Sequence, residues 1–182
     1  AGCGEGYYTG IIKDRLSSEG KECTVIGVDL SKDALMSASK RSKSVEYAIS
    51  SVFDIPVASG SVSVVWNIFA PLAGAEYLRI IKDGGYFIRV YPLAEHLMGL
   101  KEKIYKNPYE NPAEDLSLDG FELVFAEELR RNVILDDSEI IDALFKMTPY
   151  YYKTSESDQK KLSEIDRIET PLAFGVALYR KS

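Results

Sequence analysis

Residues 1–9, AGCGEGYYT, contain the pattern that says most about the fold. Three glycines, Gly2, Gly4 and Gly6, occupy alternate positions in it. Glycine lets the backbone turn sharply and approach a ligand closely, because no Cβ atom stands in the way. The residues that follow have helical spacing, so the loop would point free N–H groups and the positive end of a helix at an anion. A tight surface turn has a similar composition, so residues outside this stretch must distinguish a ligand-binding loop from a surface turn.

Short apolar runs alternate with helical patterns in the first half of the chain. The predicted strands are Thr24–Val28, Val45–Ile49, Val62–Phe69 and Tyr86–Val90. The predicted helices run from Tyr8 to Gly20, Ser31 to Arg41 and Ala75 to Ile81, and a turn is predicted at Lys82–Gly85. This alternation predicts an α/β fold with an open, mostly parallel, doubly wound sheet.

The second half of the chain is predicted to contain both helices and strands. The helices are Glu95–Tyr105, Ser138–Lys146 and Ser155–Arg167, and the strands are Phe121–Leu135 and Leu172–Tyr179. No repeat, low-complexity tract or linker divides the sequence. We therefore expect one domain over residues 1–182.

The position of the glycine loop in the chain is unusual for such a fold. In a doubly wound domain a loop of this kind follows the first, central strand. Here only Ala1 precedes it. A parallel sheet without its central strand would have two unpaired edges. We therefore expect the natural polypeptide to extend upstream, with the N-terminal strand truncated in this sequence.

The composition is that of a globular protein and excludes several classes. Hydrophobic residues make up 46% and charged residues 27% of the chain, which argues against disorder. No apolar run approaches the roughly 20 residues of a membrane span, and no secretory leader is visible. Cys3 and Cys23 form no metal-ligand or disulfide pattern, so we expect no metal and a reduced, cytoplasmic setting. The net charge of −6 argues against indiscriminate nucleic-acid binding.

The glycine spacing and one carboxylate narrow the choice of ligand. A dinucleotide fingerprint is G-x-G-x-x-G, followed about 20 positions later by an acidic residue. This loop is G-x-G-x-G, and Asp29 ends the strand that follows the first helix. A carboxylate at that place would accept both hydroxyls of a ribose. A solvated strand-end residue or a helix cap is the alternative, and the glycine loop favours the ribose.

The chain resembles the class I S-adenosylmethionine-dependent methyltransferases, in residues 1–9, in Gly27–Lys32 and in Ile55-Pro56. More narrowly, it is similar to the bacterial 23S ribosomal RNA guanine-N1 methyltransferases. The motifs of this resemblance extend along essentially the whole chain: Ser50-Ser51, Phe69-Ala70-Pro71, Gly84-Gly85-Tyr86, His96-Leu97-Met98, Leu100-Lys101 and Met147-Thr148-Pro149. The resemblance implies a Rossmann-like fold with an antiparallel last strand, S-adenosylmethionine as methyl donor and S-adenosylhomocysteine as product.

The resemblance also implies a cofactor site. Its residues would be Gly2, Cys3, Gly4, Gly6, Asp29, Leu30, Ser51, Val52 and Asn67. The loop would wrap the methionine part and the sugar, Asp29 would hold the ribose hydroxyls, and Leu30 would pack on the adenine. Ser51 and Val52 would frame the adenine edge, and Asn67 would lie where donor and acceptor meet. Many class members have an aspartate in place of Ser51, and serine accepts less strongly.

The resemblance implies guanine N1 of 23S ribosomal RNA as the methyl acceptor. Enzymes that methylate exocyclic amines often have Asn-Pro-Pro-Tyr after the fourth strand, whereas residues 67–71 are Asn-Ile-Phe-Ala-Pro, which is compatible with a ring nitrogen. The candidates for catalysis are His96, Asn67, Tyr109 and Tyr150. His96, with an ordinary pKa of roughly 6.5, could be a base or a helix-start residue bonded to backbone. The tyrosines could stack a flipped guanine or serve as packing anchors.

An RNA partner would need a local basic patch on this acidic chain. A stripe of Lys101, Lys103 and Lys106 could face phosphates, and Lys40-Arg41 with Lys43, or Arg130-Arg131, are alternatives. Each of these groups could equally be a solvated face. The related enzymes carry an N-terminal four-cysteine zinc module, and this sequence contains none of it. The sequence does not decide whether the protein forms a homodimer, and no membrane partner is expected.

Three other functions remain open from the sequence. A small-molecule methyltransferase of the same fold is favoured by the acidic charge and opposed by the narrower motifs. An NAD-dependent oxidoreductase is disfavoured by the spacing of the third glycine and by the lack of a substrate domain. A non-catalytic binding module would retain the fold without the reaction.

Overall fold

The computed structural model describes residues 1–151, 154, 159, 162 and 165–182. The helices and strands of that part of the chain are α1 (Tyr7–Ser18), β1 (Ile26–Asp29), α2 (Lys32–Arg41), β2 (Glu46–Ile49), β3 (Val62–Ile68), α3 (Gly74–Ile80), β4 (Ile81–Pro92), α4 (Met98–Ile104), β5 (Phe121–Leu135), α5 (Ser138–Lys146) and β6 (Ile168–Lys181). The predicted bounds of β5 and α5 are confirmed at both ends. Most of the helix predicted over Ser155–Arg167 lies outside the described residues.

Capping contacts explain where two of the helices begin. The Ser31 hydroxyl accepts the Ala34 N–H at 3.2 Å at the start of α2, as the sequence predicts. The Asp137 carboxylate accepts the Glu139 N–H at 2.8 Å at the start of α5. In contrast, α1 begins after Gly6 and has no capping side chain. The first N–H groups of α1 therefore keep their capacity to bind another acceptor.

The strands of the described residues form two sheets. β1 and β2 pair in parallel in one of them. The other has the order β3-β4-β6-β5, with β3 and β4 parallel. β6 runs antiparallel to β4, since the Lys181 ammonium reaches the Ile81 carbonyl while the Leu93 N–H donates to the Ala173 carbonyl. The predicted α/β fold, mostly parallel with an antiparallel last strand, is confirmed.

The turn predicted at Lys82–Gly85 is wrong, because these residues belong to β4. The strand starts at Ile81, directly after α3. Its register with β3 moves from Val62 opposite Ile81 to Val64 opposite Tyr86, so the residues between form a bulge. The glycines in the stretch permit this irregular backbone without ending the strand.

The helix predicted from Glu95 begins three residues later, at Met98. Leu97 has a φ of 57°, which a right-handed helix cannot contain. Its N–H donates instead to the Pro171 carbonyl of β6 at 2.8 Å. A tertiary hydrogen bond therefore sets the start of α4.

The chain groups into two compact units. The first comprises Ala1–Val90, Leu116–Ala126 and Ala177–Ser182, and the second comprises Tyr91–Asp115 and Glu127–Val176. The glycine loop and Asp29 belong to the first unit, whereas His96 and the candidate tyrosines belong to the second. The prediction of one domain over residues 1–182 stays a prediction.

Each unit has its own core. In the first, the Phe87 ring stacks on Tyr179 with centroids 5.5 Å apart and lies 4.9 Å from the Tyr77 ring. In the second, the buried cluster consists of Leu97, Leu100, Ile104, Ile141, Phe145, Tyr150, Leu162 and Ile168. No helix among the described residues is long and apolar enough to cross a membrane.

Candidate cofactor-binding site

The glycine loop lies between β1 and β3 in the first unit. The Cys3 N–H donates to the Val28 carbonyl of β1 at 2.9 Å, and the Ala1 nitrogen donates to the Trp66 carbonyl of β3 at 2.7 Å. The Gly6 N–H closes the turn on the Cys3 carbonyl at 2.9 Å. These bonds place the loop near the carboxyl ends of both strands, which is where open α/β sheets bind ligands.

The sharp turning predicted for the loop is confirmed, because Gly2, Gly4 and Gly6 have φ values of 65°, 51° and 72°. The space beside each glycine differs. A Cβ on Gly6 would lie 2.7 Å from the Tyr47 Oη and 2.8 Å from the Ala38 Cβ, so the loop packs on the protein there. A Cβ on Gly4 would meet nothing within 4 Å, so the backbone at Gly4 is open to a ligand.

Asp29 fastens the loop to the start of α2. Its Oδ2 accepts the Gly4 N–H at 2.8 Å, and its Oδ1 accepts the Ser31 N–H at 2.9 Å. Each carboxylate oxygen can accept a further hydrogen bond. Asp29 therefore has both a local structural role and remaining capacity for the two hydroxyls of a ribose.

The segments after β2 and β3 both reach the loop. The Ser50 N–H donates to the Asp29 carbonyl at 3.0 Å, which continues the pairing of β1 with β2. Val52 is buried, and its Cγ1 would lie 3.9 Å from a Cβ on Gly2. The Ala70 Cβ would lie only 2.5 Å from the same atom, so a larger residue at position 2 would not fit. Val52 and Ala70 thus pack directly against Gly2.

Two large apolar side chains at this edge of the sheet are exposed. Leu30 follows β1 and Phe53 comes shortly after β2, and both are mostly accessible. The Ser51 Oγ accepts the Phe53 N–H at 3.2 Å, which makes a tight turn of this segment. Leu30 and Ser51 are predicted site residues, but Phe53 is not. The only signal for Phe53 is an isolated aromatic residue just beyond a predicted strand.

Asn67 is buried rather than open to a ligand. Its Nδ2 donates to the Pro71 carbonyl and to the Tyr77 hydroxyl, each at 2.8 Å. The side chain therefore holds the turn that follows β3. That turn presents Phe69, which is exposed and has a φ of 56°. Left-handed backbone at a non-glycine residue is strained and clusters at functional sites, and no sequence pattern indicates it here.

Cys3 contributes backbone rather than a reactive thiol. Burial raises the pKa of this thiol to about 11, so it is protonated at neutral pH. Its Sγ packs against β1, 2.9 Å from where a Cβ on Gly27 would lie. Within the described residues, no cluster of His, Cys, Asp or Glu side chains could hold a metal ion.

His96 lies in the second unit and is half-buried. Its Nδ1 accepts the Ala173 N–H at 3.1 Å. Burial lowers the pKa of the imidazole, so the ring is neutral at pH 7 and carries its proton on Nε2. In this tautomer Nε2 is a donor, which favours the backbone-bonded interpretation of His96 over a general base.

The two candidate stacking tyrosines differ in exposure. Tyr150 is buried, its hydroxyl donates to the Asn111 Oδ1 at 3.3 Å, and burial raises its pKa to about 12. The Tyr150 side chain is therefore too deeply buried to stack a base. Tyr109 is 46% exposed and belongs to the same unit. Tyr109 is therefore the tyrosine of the pair that a nucleobase could reach.

The prediction that Lys101 faces phosphates is wrong. Lys101 is 0% exposed, because tyrosine rings and the segment after α4 enclose its ammonium. Lys103 and Lys106 are exposed, as the prediction requires. Arg130 is exposed but forms ion pairs with Glu95 and Glu128, which reduce the charge that it offers to a ligand.

Comparisons with known proteins find similarity to methyltransferases. Residues 1–85 match a family model described as a methyltransferase domain. Among solved structures, geranyl diphosphate methyltransferase in complex with S-adenosylmethionine is 15% identical, with a TM-score of 0.58 over 100% of this chain and 76% of that chain. BH2331 of Bacillus halodurans C-125, named as a candidate methyltransferase, is 16% identical, with a TM-score of 0.56 over 95% of this chain and 89% of that chain. These comparisons support a class I S-adenosylmethionine-dependent methyltransferase.

Two relatives that are similar to this chain in sequence are named as methyltransferases of 23S ribosomal RNA. YxjB of Bacillus subtilis (strain 168), named as a candidate 23S rRNA guanine-N1 methyltransferase, is 30% identical over 91% of this chain and 60% of that protein. The 23S rRNA (guanine(748)-N(1))-methyltransferase of Streptomyces fradiae is 28% identical over 72% of this chain and 49% of that protein. The chain thus spans about half to three fifths of these relatives.

S-adenosylmethionine is the cofactor of this class, and the residues present fit it. The backbone beside Gly4 is open, α1 starts without a capping side chain, and the Asp29 oxygens retain acceptor capacity. A carboxylate-bearing, ribose-bearing ligand needs donors and acceptors of these kinds.

Proposed function

We propose that the protein transfers a methyl group from S-adenosylmethionine to N1 of a guanine in 23S ribosomal RNA. The similarity over 91% of the chain to a Bacillus relative named for this reaction carries the proposal. The Streptomyces relative, named for the same class of reaction, supports it over 72% of the chain. The loop geometry supports S-adenosylmethionine as the methyl donor, because the site has the groups that this ligand requires.

In this proposal the loop binds the methionine part and the sugar of the cofactor through the backbone of Gly2, Cys3, Gly4 and Gly6. The open space beside Gly4 supports close approach of the ligand there. Asp29 accepts the ribose hydroxyls while it keeps its bonds to the loop and to α2. The loop and the ribose contact are therefore coupled through one carboxylate.

The adenine would bind at the edge of the smaller sheet. Leu30 supplies an exposed apolar surface after β1, and burying it against the base is favourable. Ser51 and Val52 would frame the adenine edge, since Val52 already packs beneath Gly2. The Ser51 hydroxyl accepts the Phe53 N–H and can still donate a hydrogen bond.

The acceptor chemistry requires the loss of a proton. When bound, the cofactor supplies an electrophilic methyl group, and guanine N1 carries a proton at neutral pH that must leave as the N–CH₃ bond forms. His96 cannot take this proton at Nδ1, because that nitrogen accepts the Ala173 N–H. We therefore propose that the protein acts mainly by orienting the base, with the proton released to solvent. Asn67 contributes indirectly, because it holds the turn that carries Phe69.

The experiment is methyl transfer by the full-length protein. Purified 23S ribosomal RNA from a strain lacking the gene is incubated with labelled S-adenosylmethionine and digested, and the labelled nucleoside is identified. We expect 1-methylguanosine from the wild type and at least about tenfold less from Asp29→Asn. Asp14→Asn, an exposed carboxylate of α1, is the matched control and should be unchanged. Label on another base, or on an exocyclic nitrogen, contradicts the proposal.

A further inference from the structure

A buried lysine of the second unit holds the segment that carries Tyr109. The Lys101 ammonium donates to the Tyr109 carbonyl at 2.9 Å and to the Asn111 Oδ1 at 2.8 Å. Asn111 is itself anchored, because its Nδ2 donates to the Leu93 carbonyl at 2.8 Å and its N–H donates to the Ala94 carbonyl at 2.9 Å. The backbone on both sides of residue 110 is therefore fixed by partly buried hydrogen bonds.

The same ammonium lies over two aromatic rings. It is 4.8 Å from the centroid of the Tyr109 ring and 5.2 Å from that of Tyr150. Tyr105 packs on both, with centroid distances of 5.5 Å and 6.3 Å. Among the described residues no salt bridge to Lys101 is found, and the rings, the two oxygen acceptors and the longer-range attraction of Glu110 together compensate its charge. Cation–π attraction is strongest for such desolvated ammonium groups.

Tyr109 remains partly accessible, although Lys101 lies over its ring and Tyr105 packs against it. Lys101 is 0% exposed and Tyr109 is 46% exposed, so a ligand can reach part of the Tyr109 residue while the ammonium stays buried. The cation draws electron density from the ring, which favours stacking of an electron-rich purine on the accessible part of the ring. The orientation of the ring is set in advance, so less entropy is lost when a ligand binds.

We propose that Tyr109 is a stacking platform for an unpaired purine of the RNA substrate and that Lys101 is its positioning residue. The inference rests on the proposed function, which supplies RNA as the ligand. Proteins recognise RNA largely through unstacked bases that lie on aromatic side chains. Lys103 and Lys106, exposed on α4 and just after it, add charge that suits the phosphates of the same strand.

Two substitutions at Tyr109 distinguish the effect of an aromatic ring from the effect of side-chain size. Tyr109→Phe keeps the ring, and Tyr109→Leu keeps an apolar side chain without it. The probe is a short RNA hairpin with 2-aminopurine in its loop, because stacking on an aromatic side chain quenches this fluorophore. We expect Tyr109→Phe to bind within about twofold of the wild type, and Tyr109→Leu to bind roughly 5- to 100-fold more weakly and to lose the quenching at saturation. Tyr86→Leu, at a tyrosine that is 40% exposed in the first unit, is the control and should bind as the wild type does.

The result that overturns the platform is a Tyr109→Leu protein that binds and quenches as Tyr109→Phe does. Lys101→Met tests the positioning role, and we expect weaker quenching at saturation in a protein that still unfolds cooperatively. A folded Lys101→Met protein with wild-type quenching overturns that role, and if the variant does not fold, the two Tyr109 variants decide.

Failure of the proposed function would look different. A wild type that leaves 23S ribosomal RNA unmethylated, yet binds the hairpin through Tyr109, refutes the reaction and supports the platform. A wild type that forms 1-methylguanosine together with a Tyr109→Leu protein of unchanged RNA affinity refutes the platform and supports the reaction.

Discussion

Replacing Gly6 with alanine should destabilise the protein more than the same change at Gly4. Both residues have left-handed φ values, 72° and 51°, and a left-handed alanine costs about 1–2 kcal/mol. At Gly4 this strain is the whole cost, because the added Cβ meets nothing within 4 Å. At Gly6 the Cβ would lie 2.7 Å from the Tyr47 Oη and 2.8 Å from the Ala38 Cβ. Overpacking of this kind adds about 1–3 kcal/mol, for a total of about 2–5 kcal/mol.

Tyr47 provides an internal control for this prediction. Its Oη is buried and has no hydrogen-bond partner among the described residues. Tyr47→Phe alone should therefore change the free energy of unfolding by less than about 1 kcal/mol. In the Gly6→Ala background the same change removes the atom nearest to the new methyl group, so it should restore about 1 kcal/mol or more.

Urea unfolding, followed by the fluorescence of the single tryptophan, Trp66, measures all four proteins of this cycle and Gly4→Ala. The reasoning is refuted if Gly6→Ala is no less stable than Gly4→Ala. It is also refuted if the effects of Gly6→Ala and Tyr47→Phe simply add, because the contact between the two groups would then carry no energy.

Three further predictions follow from the site and its surroundings. Asp29→Asn removes one acceptor for a backbone N–H, so the free energy of unfolding should fall by about 1–3 kcal/mol. The increase in Tm on adding S-adenosylmethionine should also become smaller, and an unchanged increase would contradict the proposed role of Asp29. The pKa of Tyr150 is raised from 10 to about 12, so its stabilisation is complete below pH 10 and is lost as the pH rises through 12. Tyr150→Phe should lack that loss in pH-dependent unfolding, and an identical profile would exclude the raised pKa. Alkylation at pH 8 should modify exposed Cys23 well before Cys3, because the pKa of the Cys3 thiol is about 11. Mass spectrometry of the peptides measures the order, and faster modification of Cys3 would contradict this prediction.

The local signals in the sequence predict most of the fold, because they act within a few residues. The alternation of short apolar runs with helical patterns predicts the strands around the loop and the parallel pairing of β1 with β2. Ser31 marks the start of α2 through its own side chain. The loop glycines all adopt the positive φ that their residue type favours. Each of these features depends on neighbours in the chain rather than on distant contacts.

The features that sequence patterns miss depend on distant residues. Lys101 has the spacing of a surface lysine, but its ammonium is held by Tyr109, Asn111 and Tyr150, which no periodicity connects to it. The shorter α4 has the same kind of cause, since a hydrogen bond to β6 sets the conformation of Leu97.

Asn67 illustrates a partial success of sequence-based prediction. Its place at the end of a strand near the loop is correctly predicted, since that follows from the order of the elements. Its side chain, however, is buried and bonded to Pro71 and Tyr77. Side-chain direction at a strand end depends on which partners the following turn provides, and the residue order does not encode that in a readable pattern.

Calorimetric titration of the wild type and of Gly4→Ala measures whether the loop beside Asp29 binds S-adenosylmethionine. A Cβ at position 4 would enter the open space that the ligand is proposed to fill, while it costs the fold only backbone strain. We predict saturable binding of S-adenosylmethionine to the wild type, no binding of NAD, and at least about tenfold weaker binding to folded Gly4→Ala. Equal affinity of the two proteins, or binding of NAD in place of S-adenosylmethionine, would show that the loop beside Gly4 is not the S-adenosylmethionine site.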